Sequence, residues 1–287
     1  MKDTLYKDTH SNMLISVDNL INQMYREDLI LIDCRFDLIN KTYGRDSYLQ
    51  GHIPGAIFLN VENELSSKVQ KHGGRHPLPN VEYIHNLLQS KGISFNSEII
   101  IYDDGDLAGA CRARLILKFL GFKNIRVLDG GFNLYLKKCS IVSTYEPTFL
   151  SKSFDIEINN NIFVDMNYTK SKINNENTVI IDCREPNRYK GIIEPVDTKK
   201  GHIPSSVNYF WKDLLSESTG LFKTRDELLN YFKDLKEFDE IIIYCGSGIT
   251  ASVTSLALDI INIKHKVYAG GFSDWISYED NEVFVIN

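Results

Sequence analysis

The sequence predicts an α/β protein of two similar tandem domains, each with a mainly parallel central sheet flanked by helices. The first observation is an internal repeat, because four short motifs recur in the same order about 140 to 150 residues apart. The motif pairs are LIDCR at 31–35 and IIDCR at 180–184, GHIPGA at 51–56 and GHIPSS at 201–206, IIIYD at 99–103 and IIIYC at 241–245, and DGGF at 129–132 and AGGF at 269–272. The second is length: 287 residues, 43% of them hydrophobic, suit two domains that each bury a core.

Short β-branched runs predict the core strands, and runs of this kind are typical of strands buried on both faces. These strands are predicted at 29–33, 99–102, 179–182 and 241–244. Apolar residues three and four apart predict helices over 112–120, 226–235 and 250–260. Alternation of strands with helices implies parallel pairing with helices on both faces of each sheet.

The repeat predicts an N-terminal domain over 1–145 and a C-terminal domain over 158–287. The stretch 143–161, which contains Pro147 and several Ser and Asn residues and has no strong period, is the expected linker. Asp103 ends the strand of the first copy where Cys245 ends that of the second. Active sites of open α/β sheets lie at the carboxyl ends of strands, so only the C-terminal domain is expected to be catalytic.

Composition excludes several classes of partner. A net charge of -6 and a pI near 5.7 argue against nucleic acid or an anionic membrane as the main partner. The first 30 residues contain no long apolar run, so neither a signal peptide nor a spanning helix is expected. The five cysteines form no CxxC pair, which suits free thiols in a reducing compartment and predicts a cytoplasmic location.

No metal or organic cofactor is expected. The histidines are scattered, with His72 and His76 the only close pair, and no cysteine stands at ligand spacing to them. The glycines form neither a Walker loop nor a dinucleotide fingerprint.

The chemistry centres on Cys245, which the sequence Gly-Ser-Gly-Ile-Thr follows between a strand and a helix. The glycines let the backbone turn sharply with its N–H groups inward, and the helix adds the positive end of its dipole. A thiol in that setting is expected to ionise at neutral pH, so Cys245 is the predicted nucleophile. The other possibility, a buried structural cysteine, we assign to Cys34 and Cys183 in the DCR strands and also to Cys111 and Cys139.

These motifs, together with GGRHPLP at 73–79 and YDDGD at 102–106, resemble the rhodanese superfamily, and the whole chain resembles a tandem-domain sulfurtransferase. The resemblance covers both halves. It implies that the cysteine takes a sulfane sulfur from a small-molecule donor, becomes a persulfide, and passes the sulfur to cyanide or a thiol, a thioredoxin-like protein being one such acceptor. N–H groups of the loop residues Gly246, Gly248, Ile249 and Thr250 would bind the substrate and the outer sulfur.

Loop composition suggests the donor. Family members that favour thiosulfate resemble Cys-Arg-Lys-Gly-Val-Thr, with two cations, whereas 3-mercaptopyruvate sulfurtransferases resemble Cys-Gly-Ser-Gly-Val-Thr. This loop differs from the second pattern only by Ile249. The resemblance therefore implies 3-mercaptopyruvate as donor, with Ser247 bonding the reacting sulfur or relaying a proton together with a His and an Asp of the first domain.

Two residues of the first domain are candidates for that pair. His52 in GHIPGA is the best match for the histidine, although His202 at the same place in GHIPSS favours a structural role equally. Asp46 is the nearest upstream carboxylate, and the other interpretation is a solvated loop aspartate. Arg75 and His76 are expected near the domain interface, where a turn fixed by prolines explains them equally well.

Arginines are expected to bind a donor carboxylate because the planar guanidinium matches it in two hydrogen bonds. Arg188 matches the family's Gly-Arg-Phe-x-Gly arginine, and Arg112 matches an arginine that follows the first-domain loop. The family's second arginine before the second GHIP is missing, since 194–200 reads EPVDTKK. Lys199 or Lys200 could replace it as point charges, or be solvated loop lysines.

Three other functions were weighed. A rhodanese-fold phosphatase needs an arginine six residues after the cysteine, where this chain has Ala251. A thiosulfate sulfurtransferase is the close alternative, disfavoured by the neutral loop and supported by the missing arginine. A persulfide carrier or sulfur sensor would load Cys245 and pass the sulfur to a protein acceptor.

Overall fold

The computed structural model of the chain describes residues 13–286. Residues 1–12 and residue 287 lie outside the described residues. The predicted outer ends of the two domains fall there, as do the first 12 of the 30 residues in which no signal peptide is expected. Contacts divide the chain into two units. The first comprises the chain up to Ser67, Pro79–Asn159 and Ser218–Phe222, and the second comprises Lys68–Leu78, Asn160–Glu217 and the chain from Lys223 onward.

The first unit is built on a parallel sheet, which has five strands among the described residues, in the order β1-β5-β4-β2-β3. The strands are β1 Leu14–Ile15, β2 Leu29–Asp33, β3 Ile57–Phe58, β4 Glu98–Tyr102 and β5 Ile125–Leu128. The helices are α1 Val17–Ile21, α2 Tyr43–Gln50, α3 Val81–Ser90, α4 Ala108–Phe119 and α5 Gly131–Lys138. The central strands β2 and β4 are almost wholly buried, as their apolar runs predict.

The second unit repeats this plan in the order β6-β10-β9-β7-β8, again with parallel pairing. Its strands are β6 Phe163–Val164, β7 Thr178–Asp182, β8 Val207–Asn208, β9 Glu240–Tyr244 and β10 Lys266–Tyr268. Its helices are α6 Met166–Ser171, α7 Pro186–Tyr189, α8 Arg225–Tyr231, α9 Ala251–Ile260 and α10 Gly271–Trp275, with 3₁₀ turns at Trp211–Leu214 and Lys233–Glu237. No helix within 13–286 is both long and apolar enough to cross a bilayer.

The predicted fold class is confirmed, and the four predicted core strands are present to within one residue. The predicted helix 226–235 is shorter than expected, because α8 ends at Tyr231 and a 3₁₀ turn follows. Most of the expected linker packs on the first unit: Lys152 donates its N–H to Gln89, and the Phe154 ring contacts Phe95 and Phe122 edge-on. Aromatic contacts of the half-buried Phe154 therefore order a segment whose composition resembles a loop.

Two segments belong by contact to the unit of the other repeat. Lys68–Leu78 lies between β3 and α3 but groups with the second unit, and Ser218–Phe222 lies between β8 and α8 but groups with the first. The two segments thus occupy the same place in the two repeats. The division into continuous domains 1–145 and 158–287 stays a prediction. The grouping of contacts differs from it at these two segments.

The repeated motifs tie each unit together by buried polar contacts. Asp33 holds Arg35 through three side-chain hydrogen bonds, and Arg35 also donates to the Gly51 carbonyl of GHIP and stacks on Phe132 of GGF. In the second unit the same contacts link the equivalent residues, with Arg184 3.9 Å from the ring centroid of Phe272. The arginine of DCR is therefore a structural link between the other two motifs.

Asp103 fills the loop of the first unit that corresponds to the cysteine loop. Its carboxylate accepts hydrogen bonds from the N–H groups of Gly105 at 2.9 Å, Leu107 at 3.1 Å and Ala110 at 3.1 Å. Burial raises the pKa of Asp103, whereas the three N–H donors favour its ionised form. The N–H groups of this loop thus bind the carboxyl group of the loop's own residue.

We expect Asp103→Ala to destabilise the first unit by roughly 2 to 4 kcal/mol, because three buried N–H groups would lose their acceptor. Asp103→Asn keeps one accepting oxygen, so its stability to unfolding is expected to lie between that of Asp103→Ala and that of the wild type. Thermal unfolding followed by circular dichroism measures both. An unfolding midpoint of Asp103→Ala equal to that of the wild type would show that the loop does not need the carboxylate.

Candidate active site

Cys245 follows β9 directly and is buried, with 1% of its surface exposed. The N–H of Gly248 donates to the Cys245 sulfur at 3.1 Å. Gly248 adopts a φ of +78°, and a Cβ there would lie 2.3 Å from the Ala269 carbonyl oxygen. Only glycine adopts this positive φ without strain and leaves room for the Ala269 carbonyl, so the turn that directs this N–H to the sulfur depends on Gly248.

The remaining loop residues lead into α9. Ile249 is buried, its carbonyl accepts the Ser252 N–H, and the Thr250 carbonyl accepts the Val253 N–H. The chain thus enters the helix at Ala251, six residues after the cysteine and one residue later than the sequence predicts. The N-terminus of α9 faces the loop that follows the sulfur.

Residues 270–274, at the start of α10, hold the cysteine loop. The Phe272 N–H donates to the Cys245 carbonyl at 2.8 Å, and the Ser273 N–H donates to the Gly246 carbonyl at 2.9 Å. Because these carbonyls bond to α10, they are turned away from the sulfur. The motif AGGF therefore contributes backbone that shapes the site.

The same helix holds the segment Lys68–Leu78. Asp274 accepts the Gly73 N–H at 2.7 Å, and the Ser273 hydroxyl accepts the Arg75 N–H at 3.1 Å. A Cβ on Gly74 would lie 2.3 Å from the Gly270 carbonyl oxygen, so the two backbones are in close contact. These bonds bring the side chains of Arg75 and His76 to the cysteine loop.

Ser247 and His76 form a buried pair next to the nucleophile. The His76 Nδ1 and the Ser247 Oγ share a hydrogen bond of 2.7 Å, and both residues are at most 5% exposed. Since Ser247 lies two residues after Cys245, this pair is able to move a proton close to the sulfur.

Two arginines lie over Gly246. A Cβ built there would be 2.8 Å from Nη2 of Arg75 and 3.7 Å from Nη2 of Arg188. Burial lowers the pKa of Arg75, and the neighbouring Arg188 lowers it further. The loop is uncharged in sequence, but the space beside it contains two cations.

Buried carboxylates hold these arginines. Glu194 accepts from Nε and Nη2 of Arg188 at 2.7 to 3.1 Å and also from Nη1 of Arg184 at 3.2 Å. Asp197 pairs with Nη1 of Arg75 through one oxygen and accepts from Nη2 of Arg188 at 3.0 Å through the other. The stretch 194–200, which lacks an arginine, supplies two carboxylates.

The structure therefore brings together Cys245, Ser247, Arg188 and residues 246–250 in the second unit. The other predicted site residues belong to the first unit. Asp46 is exposed on α2, and Arg112 is fully buried in α4, where it donates to the Leu65 carbonyl. The predicted roles of Asp46 and Arg112 stay predictions.

His52 is held by its own unit. Its Nδ1 bonds to the Tyr48 carbonyl at 2.7 Å, its Nε2 bonds to the Tyr145 carbonyl at 3.1 Å, and its ring stacks on Tyr48. His202 makes the equivalent bond and stacking contact with Tyr189 in the second unit. The duplicated arrangement favours a structural role for the GHIP histidine.

The sequence analysis expected Arg75 and His76 near the domain interface but gave them no catalytic or binding role, although a signal for one exists. The segment 73–79 contains GGRHPLP, while the segment at the same place in the second repeat contains STGLF at 218–222, without an arginine or a histidine. A difference between the copies identified Cys245. The same comparison could have identified this loop.

Comparison with known proteins agrees with the geometry. The family model described as "Rhodanese-like domain" matches residues 16–138 and 165–278, one match in each repeat. The chain belongs to the rhodanese family. Its cysteine loop and its Asp103 loop are thus the corresponding loops of two rhodanese domains.

Relatives of this rhodanese chain have names of two kinds. A probable 3-mercaptopyruvate sulfurtransferase of Pseudomonas aeruginosa is 32% identical over 273 residues, which cover 93% of this chain and 96% of that protein. A putative thiosulfate sulfurtransferase, SseB, of Mycobacterium tuberculosis is 29% identical over 270 residues, covering 92% and 94%. Among solved structures, the 3-mercaptopyruvate sulfotransferase SseA of Escherichia coli superposes with a TM-score of 0.79 at 27% identity, covering 91% of this chain and 99% of that one.

The two loop glycines of this rhodanese are expected to differ in their tolerance of a side chain. Gly248→Ala introduces a strained positive φ and a clash with backbone, so we expect it to destabilise the second unit by several kcal/mol, about 2 or more. Gly246→Ala meets only the end of the Arg75 side chain, which can move, so its unfolding midpoint should stay near the wild-type value. Thermal unfolding of the two variants side by side tests this, and equal losses would contradict it.

Proposed function

We propose that the protein is a sulfurtransferase that takes sulfur from 3-mercaptopyruvate through a persulfide on Cys245. The observation that carries the proposal is the uncharged Cys-Gly-Ser-Gly-Ile-Thr loop with a backbone N–H aimed at the sulfur. A backbone N–H in this position stabilises the negative charge of a thiolate and then that of a persulfide anion. The names of the relatives support both the reaction class and the donor.

The reaction balances without an added oxidant or reductant. The Cys245 thiolate attacks the donor sulfur, an S–S bond forms, and the C–S bond breaks with its electron pair moving to carbon. The S–H proton of the donor ends on that carbon, which gives pyruvate and leaves the persulfide anion. Cyanide then attacks the outer sulfur, so that thiocyanate leaves and the thiolate is restored; a thiol acceptor instead carries the sulfur away as its own persulfide.

Ser247 and His76 are the pair proposed to move the donor proton. The donor S–H must lose its proton and the departing carbon must gain one, and a positioned hydroxyl and imidazole serve both needs. We propose His76 for this role in place of His52, because His76 bonds to Ser247 whereas His52 uses both ring nitrogens on backbone carbonyls.

Arg188 is the proposed ligand of the donor carboxylate, since its guanidinium lies over Gly246, the residue after the nucleophile. We further propose a thiol acceptor in the cell and a cytoplasmic location. Cys34, Cys139, Cys183 and Cys245 are free thiols in the structure, which suits a reducing compartment. Burial raises the pKa of Cys34 and Cys183, so these thiols are not expected to compete with Cys245.

Thiosulfate is the second candidate donor. One observation favours it: Arg75 and Arg188 place cations beside a loop that has none of its own. The argument from the uncharged loop is weaker for that reason, and a relative named as a putative thiosulfate sulfurtransferase matches nearly the whole chain. A persulfide carrier would be favoured by loading of Cys245 without turnover.

The first test compares kcat/KM for 3-mercaptopyruvate and thiosulfate with cyanide as acceptor. We expect a preference for 3-mercaptopyruvate of about tenfold or more, a difference near 1.4 kcal/mol in the transition state. Cys245→Ser should abolish turnover of both donors, and Cys183→Ser is the matched control at a buried structural cysteine. A preference for thiosulfate would overturn the donor assignment, and persulfide formation on Cys245 without turnover would favour a carrier.

A second test separates the two histidines. His76→Gln should lower kcat/KM for 3-mercaptopyruvate by about 10²- to 10⁴-fold, because the proton path through Ser247 is lost. Ser247→Ala should give a loss of similar size, and the double variant should be little worse than either single variant. His52→Gln should lower the unfolding midpoint and keep the activity of the folded protein. The reverse pattern, with activity lost only in His52→Gln, would return the catalytic role to His52.

A further inference from the structure

Asp197 already occupies the place where two arginines would hold a carboxylate. One of its oxygens pairs with Nη1 of Arg75, and the other accepts from Nη2 of Arg188 at 3.0 Å. Its side chain is only 2% exposed. A carboxylate that bridges two guanidinium groups is the arrangement expected for a bound carboxylate substrate.

This bridge lies beside the nucleophile. The Arg75 Nη2 would be 2.8 Å from a Cβ on Gly246, the residue that follows Cys245. Within residues 13–286, the buried Nε–H of Arg75 has no hydrogen-bond partner, so one donor of this guanidinium is unused while Asp197 is bound. A small carboxylate has more freedom than a tethered aspartate to engage that donor.

Glu194 and Asp197 hold the arginines to different degrees. The Glu194 carboxylate accepts hydrogen bonds from Arg184 and Arg188 and from the N–H groups of Val196 and Asp197, so both of its oxygens are held in place. Asp197 has the two arginine contacts and follows Val196, which is 40% exposed. Glu194 is therefore a positioning residue for Arg188. Because the Asp197 N–H is bound to Glu194, the Asp197 carboxylate would leave the arginines by a turn of its side chain.

We propose that Arg75 and Arg188 together form the carboxylate site of the donor and that Asp197 fills this site until the donor displaces it. The inference rests on the proposed function and deepens it. Arg75 takes the part of the second arginine that the stretch 194–200 lacks. Exchanging one carboxylate for another keeps both guanidinium groups paired, which avoids the cost of leaving buried charges alone. Because only molecules whose site is not filled by Asp197 can bind the donor, the apparent affinity for the donor is the intrinsic affinity multiplied by the fraction of such molecules.

The test is Asp197→Asn, with Asp280→Asn as a control that makes the same charge change at an exposed carboxylate of the same unit. Two quantities are measured: kcat/KM for 3-mercaptopyruvate, and the dissociation constant of pyruvate by calorimetry. Asp197→Asn should raise kcat/KM and lower the dissociation constant of pyruvate, each by about tenfold. The change in kcat/KM should come more from KM than from kcat. Asp280→Asn should change neither.

Arg75 supplies the second arm. Arg75→Gln should weaken pyruvate binding by about 10- to 100-fold, and Arg75→Lys should recover part of the loss because it restores the charge without the fork. In the Arg75→Gln background, Asp197→Asn should give little further gain, since the two residues act through one contact.

Pyruvate binding keeps this inference separate from the proposed function. If the wild type does not turn over 3-mercaptopyruvate but the Asp197→Asn variant binds pyruvate more tightly than the wild type does, the donor assignment fails and the carboxylate site stands. If Asp197→Asn keeps the wild-type unfolding midpoint and binds pyruvate equally or more weakly, Asp197 is a fixed support of the arginines and the inference is overturned.

Discussion

The backbone hydrogen bonds between the cysteine loop and the start of α10 are the constraint on which the rest of the site depends. Because Phe272 and Ser273 take up the carbonyls of Cys245 and Gly246, the loop is turned so that the Gly248 N–H faces the sulfur. The side chains of Ser273 and Asp274 in the same helix bind the backbone of residues 73–75. One helix of five residues thus positions Cys245 and the segment that contains Arg75 and His76.

The first unit shows what such a loop requires when no chemistry is involved. The Phe132 N–H donates to the Asp103 carbonyl as Phe272 does to Cys245, so the two loops are held alike. In one loop the inward N–H groups bind the carboxylate of Asp103, and in the other an N–H reaches the sulfur of Cys245. The common requirement is an acceptor, preferably an anion, where the N–H groups converge. A duplicated domain can therefore carry aspartate in place of the nucleophile and keep its loop.

The sequence was sufficient to predict the strands and the repeat, because both depend on local pattern, and the prediction of Cys245 as the nucleophile rests on local pattern as well. Runs such as 241–244 are buried on both faces, and the residues after Cys245 adopt the turn that their glycines permit. The contact of His76 with Ser247 was not predictable in this way, since residues 73–76 are placed by hydrogen bonds to Ser247 and to α10, which are distant in the chain. The cations beside the loop were not predictable for the same reason, because the composition of one loop does not include an arginine that another segment brings beside it.

The balance of charge bears on the choice of donor. Among the described residues, three guanidinium groups, of Arg75, Arg184 and Arg188, are paired with three carboxylates, of Asp182, Glu194 and Asp197. If a monocarboxylate donor takes the place of Asp197, the number of paired charges in the site is the same before and after binding. A dianion such as thiosulfate would add a charge that no further cation of this cluster offsets, close to a cysteine that must itself be an anion to react. Burial makes an uncompensated charge costly, so the cluster favours a donor with one negative charge over a donor with two.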